Sequence, residues 1–355
     1  MKRNYKPICL LLSLLLLFGI FVYLLTIEPK YKKAIREVIS CTNTEEVKEV
    51  WNTYKVELSK KEEPFEKFTN ATRTKLASFN LSRKETNKWI KELPPAPSSL
   101  NLIVVPDLSR RINIPEQIEN DKLALKVIWD SFKEYVKTRK DTKDRLIIDV
   151  TDREAASGSF GTIADSLLFD LSSHKHKIHK LFFTEAIDDT YFSNIDRLYQ
   201  FAQDRPLGAD YVLYLKRYLA SKLKAPTLFD NHINKVIIIT DGYLEAEGHD
   251  GNHIIYTRFY GFQQDLYNAV GNNNAILDVI NRNGLNIPHA NIDLSNVEFL
   301  LCEVNERDSG IGYDFDVLKV YWLDWLKRMN AKSVVIVQKE SASRLTREAI
   351  VDFIK

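Results

Sequence analysis

Two short segments place carboxylates beside hydroxyls directly after apolar runs. Pro106-Asp107-Leu108-Ser109-Arg110-Arg111 follows Leu102-Ile103-Val104-Val105, and Thr240-Asp241-Gly242 follows Val236-Ile237-Ile238-Ile239. Two carboxylates and a serine hydroxyl are hard oxygen donors, suited to a magnesium-like ion that keeps waters and an open position. The same residues have a plainer use, with Asp107 capping a following helix and Asp241-Gly242 forming a turn. Which use applies depends on whether the two segments meet.

The surrounding elements predict that they do. Beyond residue 100 the chain alternates short β-branched runs with longer helical patterns. Leu102–Val105, Leu146–Val150, Leu181–Phe183, Val236–Ile239, Val297–Leu301 and Val334–Val337 read as six strands. Leu123–Val136, part of Ile195–Leu223, Val317–Met329 and Arg344–Ile354 read as helices. Unbroken apolar strands are buried on both faces, and the intervening segments are long enough for crossovers. The expected fold is α/β, a doubly wound, mainly parallel six-stranded sheet of Rossmann-like type. In such a sheet the first and fourth strands are often neighbours, and ligands bind beyond the carboxyl ends, so Asp107, Ser109 and Asp241 are expected to converge.

These segments resemble the von Willebrand factor A-type domain, whose metal-ion-dependent adhesion site joins an Asp-x-Ser-x-Ser loop, a threonine from a later loop and an aspartate after the fourth strand. Asp107-Leu108-Ser109-Arg110-Arg111 is similar to the first element with Arg111 in place of its second serine, and Thr240-Asp241-Gly242 to the last. Arg205-Pro206-Leu207-Gly208-Ala209-Asp210-Tyr211 resembles the middle loop, with Ala209 where the threonine is expected. The resemblance implies a Mg²⁺ or Mn²⁺ site at Asp107, Ser109 and Asp241, completed by a carboxylate from a protein partner. The departures remove two hydroxyl ligands and add a fixed positive charge. Arg111 is then expected either to pair with Asp107 or Asp241 in place of a metal, or to contact an acidic partner directly; the alternative is that Asp210 turns inward and replaces the missing threonine oxygen.

Other candidates are weaker. His174, His176 and His179 are interleaved with lysines and lack an acidic or cysteine neighbour, which fits a solvated loop better than zinc. His249 and His253 follow the Thr-Asp-Gly strand end, so their loop is expected on the site face, where it shapes a partner-binding surface. No dinucleotide, phosphate-binding or serine-hydrolase glycine motif occurs. Tyr211, Tyr214 and Tyr218 recur at helical spacing, as a packed face does.

The remaining organisation comes from hydropathy and charge. Residues 8–27 form an uncharged apolar run of 20 residues, enough for a helix to cross about 30 Å of hydrocarbon. A single-pass anchor is expected, after a tail of residues 1–7 and with the C-terminal bulk outside the cytoplasm. Residues 28–93 read as a basic stalk of two to four amphipathic helices, with Thr44 as an N-cap and Ser82 with Glu85 as a capping box. Residues 94–100, rich in Pro and Ser, form a linker to the domain at 101–355. The net charge of +2 arises from 50 Lys+Arg and 48 Asp+Glu with no basic face for nucleic acid. Cys41 and Cys302 read as two thiols rather than one bridge. The expected function is a membrane-anchored protein-binding module rather than an enzyme. The alternative is a metal-assisted hydrolase using Asp107 and Asp241, for which no nucleophile and base can be named together.

Overall fold

The computed structural model describes residues 28–140, 142–151, 159–174, 178–204, 209–244, 261–306, 314–340 and 344–355. The run at 8–27 lies outside them, and among the described residues no helix is long and apolar enough to cross a membrane. The chain divides into two compact units. One extends to Ala96 and takes in Pro226–Phe229, and the other holds Pro97–Ala225 and Asp230–Lys355.

The first unit is built from α1 (Lys30–Ser40), α2 (Thr44–Leu58), α3 (Glu62–Ala77) and α4 (Arg83–Glu92). The segment read as a stalk therefore has a core of its own. Trp51 stacks on Phe68 at 5.2 Å and on Phe65 at 5.8 Å, and Val47, Leu76 and Trp89 close around them. Leu228, from the distant short segment, is buried in the same cluster. The Ser82–Glu85 capping box forms as expected. The cap of α2 is Asn43 rather than Thr44: Asn43 Oδ1 accepts from the Glu46 amide at 2.9 Å, and Thr44 is the first helical residue. Asn and Thr both cap, and the extended backbone of Asn43 is what places its oxygen over the free amides.

The second unit comprises β1 (Ser98–Pro106), α5 (Gln117–Val136), β2 (Arg145–Ile148), α6 (Ser159–Ser166), β3 (Leu168–Asp170), α7 (Glu185–Asp204), α8 (Tyr211–Arg217), α9 (Leu219–Lys222) and β4 (Asn231–Ile239). It continues with α10 (Gln263–Ala269), α11 (Asn273–Arg282), β5 (Val297–Val304), α12 (Asp314–Arg328), β6 (Ser333–Gln338) and α13 (Arg344–Ile354). The sheet order is β3-β2-β1-β4-β5-β6, parallel except for β3. The expected mainly parallel, six-stranded α/β sheet is therefore present.

Alternate strand residues serve opposite cores, which is why the strands read as unbroken apolar runs. Ile103, Val105, Val236, Ile238, Phe299 and Leu301 meet α8, α10, α11 and α12. Leu102, Val104, Ile237, Ile239, Leu300 and Cys302 meet α5, α7 and α13.

The third strand is not Leu181–Phe183. It is Leu168–Asp170, antiparallel to β2, while Leu181 ends a short 3-10 turn. Phe182 and Phe183 are apolar because they pack beside α5, with Phe183 edge-on to Trp129 at 5.6 Å and to Phe132 at 6.2 Å. The strand proper inserts Phe169 against Trp129 at 4.7 Å. Cys41 and Cys302 are both free and buried.

Candidate functional site

The Asp107 and Asp241 segments meet as the topology requires. β1 and β4 are neighbours, and their register ends with Pro106 opposite Ile239. The next residues continue the pairing: the Asp107 amide donates to Ile239 O at 2.8 Å, and the Thr240 hydroxyl donates to Asp107 Oδ2 at 2.8 Å. Asp107 Oδ1 accepts from the Ser109 amide at 3.0 Å. On the other side of the junction, Asp241 Oδ1 accepts from the Tyr243 amide at 3.2 Å, and Thr240 Oγ1 from the Gly242 amide at 3.1 Å. The turn at Asp241-Gly242 forms as read, whereas the helical turn after β1 is capped by Ser109 rather than Asp107, whose Oδ1 instead holds the Ser109 amide.

Gly242 has φ +93°, and an added Cβ would lie 2.9 Å from Val304 Cγ1. Only glycine combines that backbone with that closeness. Its carbonyl accepts from Trp322 Nε1 at 2.8 Å, which pins the turn to α12.

Arg111 pairs inward, the first of the two arrangements allowed by its position. Its Nε lies 3.4 Å from Asp107 Oδ2, and its Nη2 donates to Asp121 Oδ2 at 2.8 Å and to Ile239 O at 3.1 Å. The Arg111 side chain is only 1% exposed, so a direct contact with an acidic partner is closed to it in this arrangement. Burial alone would lower its pKa, but the charges of Asp121, Asp107 and Asp241 outweigh that and hold the guanidinium protonated.

Asp121 is the residue that sequence reasoning missed. It also accepts from Gln117 Nε2 at 2.9 Å and from the Tyr199 hydroxyl at 3.1 Å, and Gln117 Oε1 accepts in turn from Lys339 Nζ at 2.9 Å. Burial and the Asp121 charge keep the Tyr199 phenol well above its ordinary pKa, so it acts as a donor. One signal was available: Asp121 shares the buried stripe of α5 with Ala124, Leu125 and Ile128, where an acid must be paired.

These donors do not fit a divalent cation. Asp107 Oδ2 is taken by Thr240 and by a guanidinium, Oδ1 by an amide, and a fixed positive charge lies within 3.4 Å. Ser109 Oγ is placed toward the Arg111 amide at 3.5 Å. Asp210, expected to replace the missing threonine, caps α8 by accepting from the Leu213 amide at 2.8 Å, and Ala209 is buried. Among the described residues no group of three or more His, Cys, Asp or Glu side chains is arranged to hold a metal.

A second buried carboxylate, Asp149, follows β2, accepts from the Tyr214 hydroxyl at 3.0 Å and lies 3.5 Å from Lys222 Nζ. Tyr211 packs edge-on to Trp322 at 5.6 Å, and the two tyrosines form the expected packed face. His249 and His253 lie outside the described residues. The histidine loop departs from its solvated reading: His179 is fully buried, with Nδ1 3.4 Å from Asp144 Oδ2.

Among the described residues near the carboxyl ends of β1 and β4, Ser109 and Asp210 are half-buried and Arg110 is exposed. No protein-family model matches the chain, and no curated protein matches it in sequence.

Proposed function

We propose that the second unit is a von Willebrand A-like protein-binding module in which the Arg111 guanidinium stands where the family keeps its metal, and that residues 8–27 hold the chain in a membrane with the bulk outside the cytoplasm. The observation that carries this reading is the hydrogen-bonded junction of Asp107 with Thr240 at the ends of neighbouring parallel strands. It is the placement that the family's adhesion site implies, and an internal cation supplies the charge there. Recognition is then independent of a metal. With Arg111 turned inward, the exposed Arg110 is the cation that meets an acidic partner, beside Ser109 and Asp210.

The test uses a photo-crosslinking residue in the full chain, at Ser109 or Asp210 and, for comparison, at Lys332 beside the amino end of β6. Capture of one discrete partner from the first two positions and not the third is expected, with Arg110→Glu weakening it. Equal capture from both ends of the sheet overturns the assignment. Retention in the membrane fraction through a carbonate wash, lost when residues 8–27 are deleted, tests the anchor. Among the described residues no nucleophile and base converge on the site, so they lend a hydrolase reading no support.

A further inference from the structure

A second site lies on the flank of the sheet, between α5 and α13, where a cavity of about 300 Å³ is floored by Glu303 and Thr346. Glu303 sits at the end of β5 with φ +67°, in the left-handed region that a non-glycine residue rarely adopts, and within the irregular register of β5 with β6. The residue is 1% exposed. Its Oε1 accepts from the Thr346 hydroxyl at 2.6 Å, but Oε2 is buried with no hydrogen-bond partner. A buried carboxylate oxygen without a donor is a costly arrangement, and an unfavourable backbone conformation at the same residue marks a place where structure is held for another purpose.

The walls and rim define what would satisfy it. Leu123, Val127 and Ile350 offer an apolar wall. At the rim Lys126 is tied to Asp130 at 3.0 Å and Arg344 to Glu348 at 3.4 Å, whereas Arg347 has no ion pair among the described residues. A buried acceptor below, an apolar wall and an uncommitted cation at the mouth are complementary to a molecule with an ammonium at one end, a short apolar body and a carboxylate at the other. We propose that this cavity binds a small zwitterion of amino-acid type, its ammonium donating to Glu303 and its carboxylate paired with Arg347. The proposal is independent of the protein-binding reading.

Thermal unfolding of the full chain with millimolar straight-chain ω-amino acids of increasing length tests it, with the alkylamine and alkanoate of each length as controls. At least one ω-amino acid is expected to raise the midpoint more than either control. Glu303→Gln, which keeps shape and folding, should abolish that rise, and Arg347→Ala should weaken binding about tenfold or more. If no member of the series raises the midpoint, or if the rise is unchanged in Glu303→Gln, the proposal is overturned.

Discussion

Arg111 and Asp121 face each other across the turn that joins β1 to α5, with Nη2 and Oδ2 2.8 Å apart and side-chain exposures of 1% and 0%. Removing one member leaves the other charged and buried, which is more damaging than losing both. Arg111→Met and Asp121→Leu should each destabilise the full chain by about 3–5 kcal/mol, and the double variant should recover much of that loss. Urea unfolding of the four proteins measures the coupling, and additive losses would show that the pair is not a unit.

The same pair makes a prediction about metal. Arg111→Ser introduces the second serine of the proposed von Willebrand A-like pattern and removes the charge that opposes a cation beside Asp107. Magnesium and manganese should leave the unfolding midpoint of the unsubstituted chain unchanged, because the guanidinium holds that place. Arg111→Ser should gain a manganese-dependent rise, and adding Asp241→Ala should remove it, since a ligand of the native state stabilises by mass action. A manganese response in the unsubstituted chain would contradict the inward guanidinium.

The meeting of the Asp107 and Asp241 segments was legible in the sequence, because strand order alone brings the ends of the first and fourth apolar runs together, although the Thr240 hydroxyl that joins them was not. The pairing of Arg111 with Asp107 was legible too, but its shorter contact, with Asp121, was not. Pairing across a turn depends on side-chain direction, and Asp121 lies ten residues on, in a helix read as starting only at Leu123. The missed third strand has a different cause. Leu168–Asp170 is too short to show a pattern, whereas Phe182 and Phe183 are apolar through their packing beside α5, so hydropathy pointed to them.

That distinction is measurable. Phe169 is 4% exposed and meets Trp129, whereas Leu181 is 67% exposed. Phe169→Ala should cost about 3–5 kcal/mol, while Leu181→Ala should stay within about 0.5 kcal/mol of the unsubstituted protein. Similar losses at the two positions would return the strand to 181–183.

His232, near the start of β4, gives the second unit a pH dependence. Burial depresses its pKa, reinforced by Lys224, Arg145 and Lys143 and opposed by Asp230. The unfolded chain therefore binds the proton first as pH falls, and stability contributed by the neutral ring declines below about pH 6.5, the ordinary histidine value, until the folded-state value is passed. Thermal midpoints taken from pH 7.5 to 5 should fall less steeply in His232→Gln than in the unsubstituted chain. Parallel curves would remove His232 as the source.

Gly242 ties the fold to the proposed site. Its φ of +93° favours glycine, and Val304 leaves no room for a methyl group, so Gly242→Ala meets both obstacles at once. Left-handed backbone costs an L-residue about 1–2 kcal/mol, and a forced contact in a packed core about 1–3 kcal/mol. The turn also supplies the carbonyl to Trp322 and the amide that Thr240 Oγ1 accepts, so any relief by movement shifts Thr240, whose hydroxyl holds Asp107. Gly242→Ala should therefore lose about 2–5 kcal/mol of stability, and crosslinking from Ser109 should weaken even at temperatures where the variant is fully folded. Full capture by a folded but destabilised variant would separate the turn from recognition.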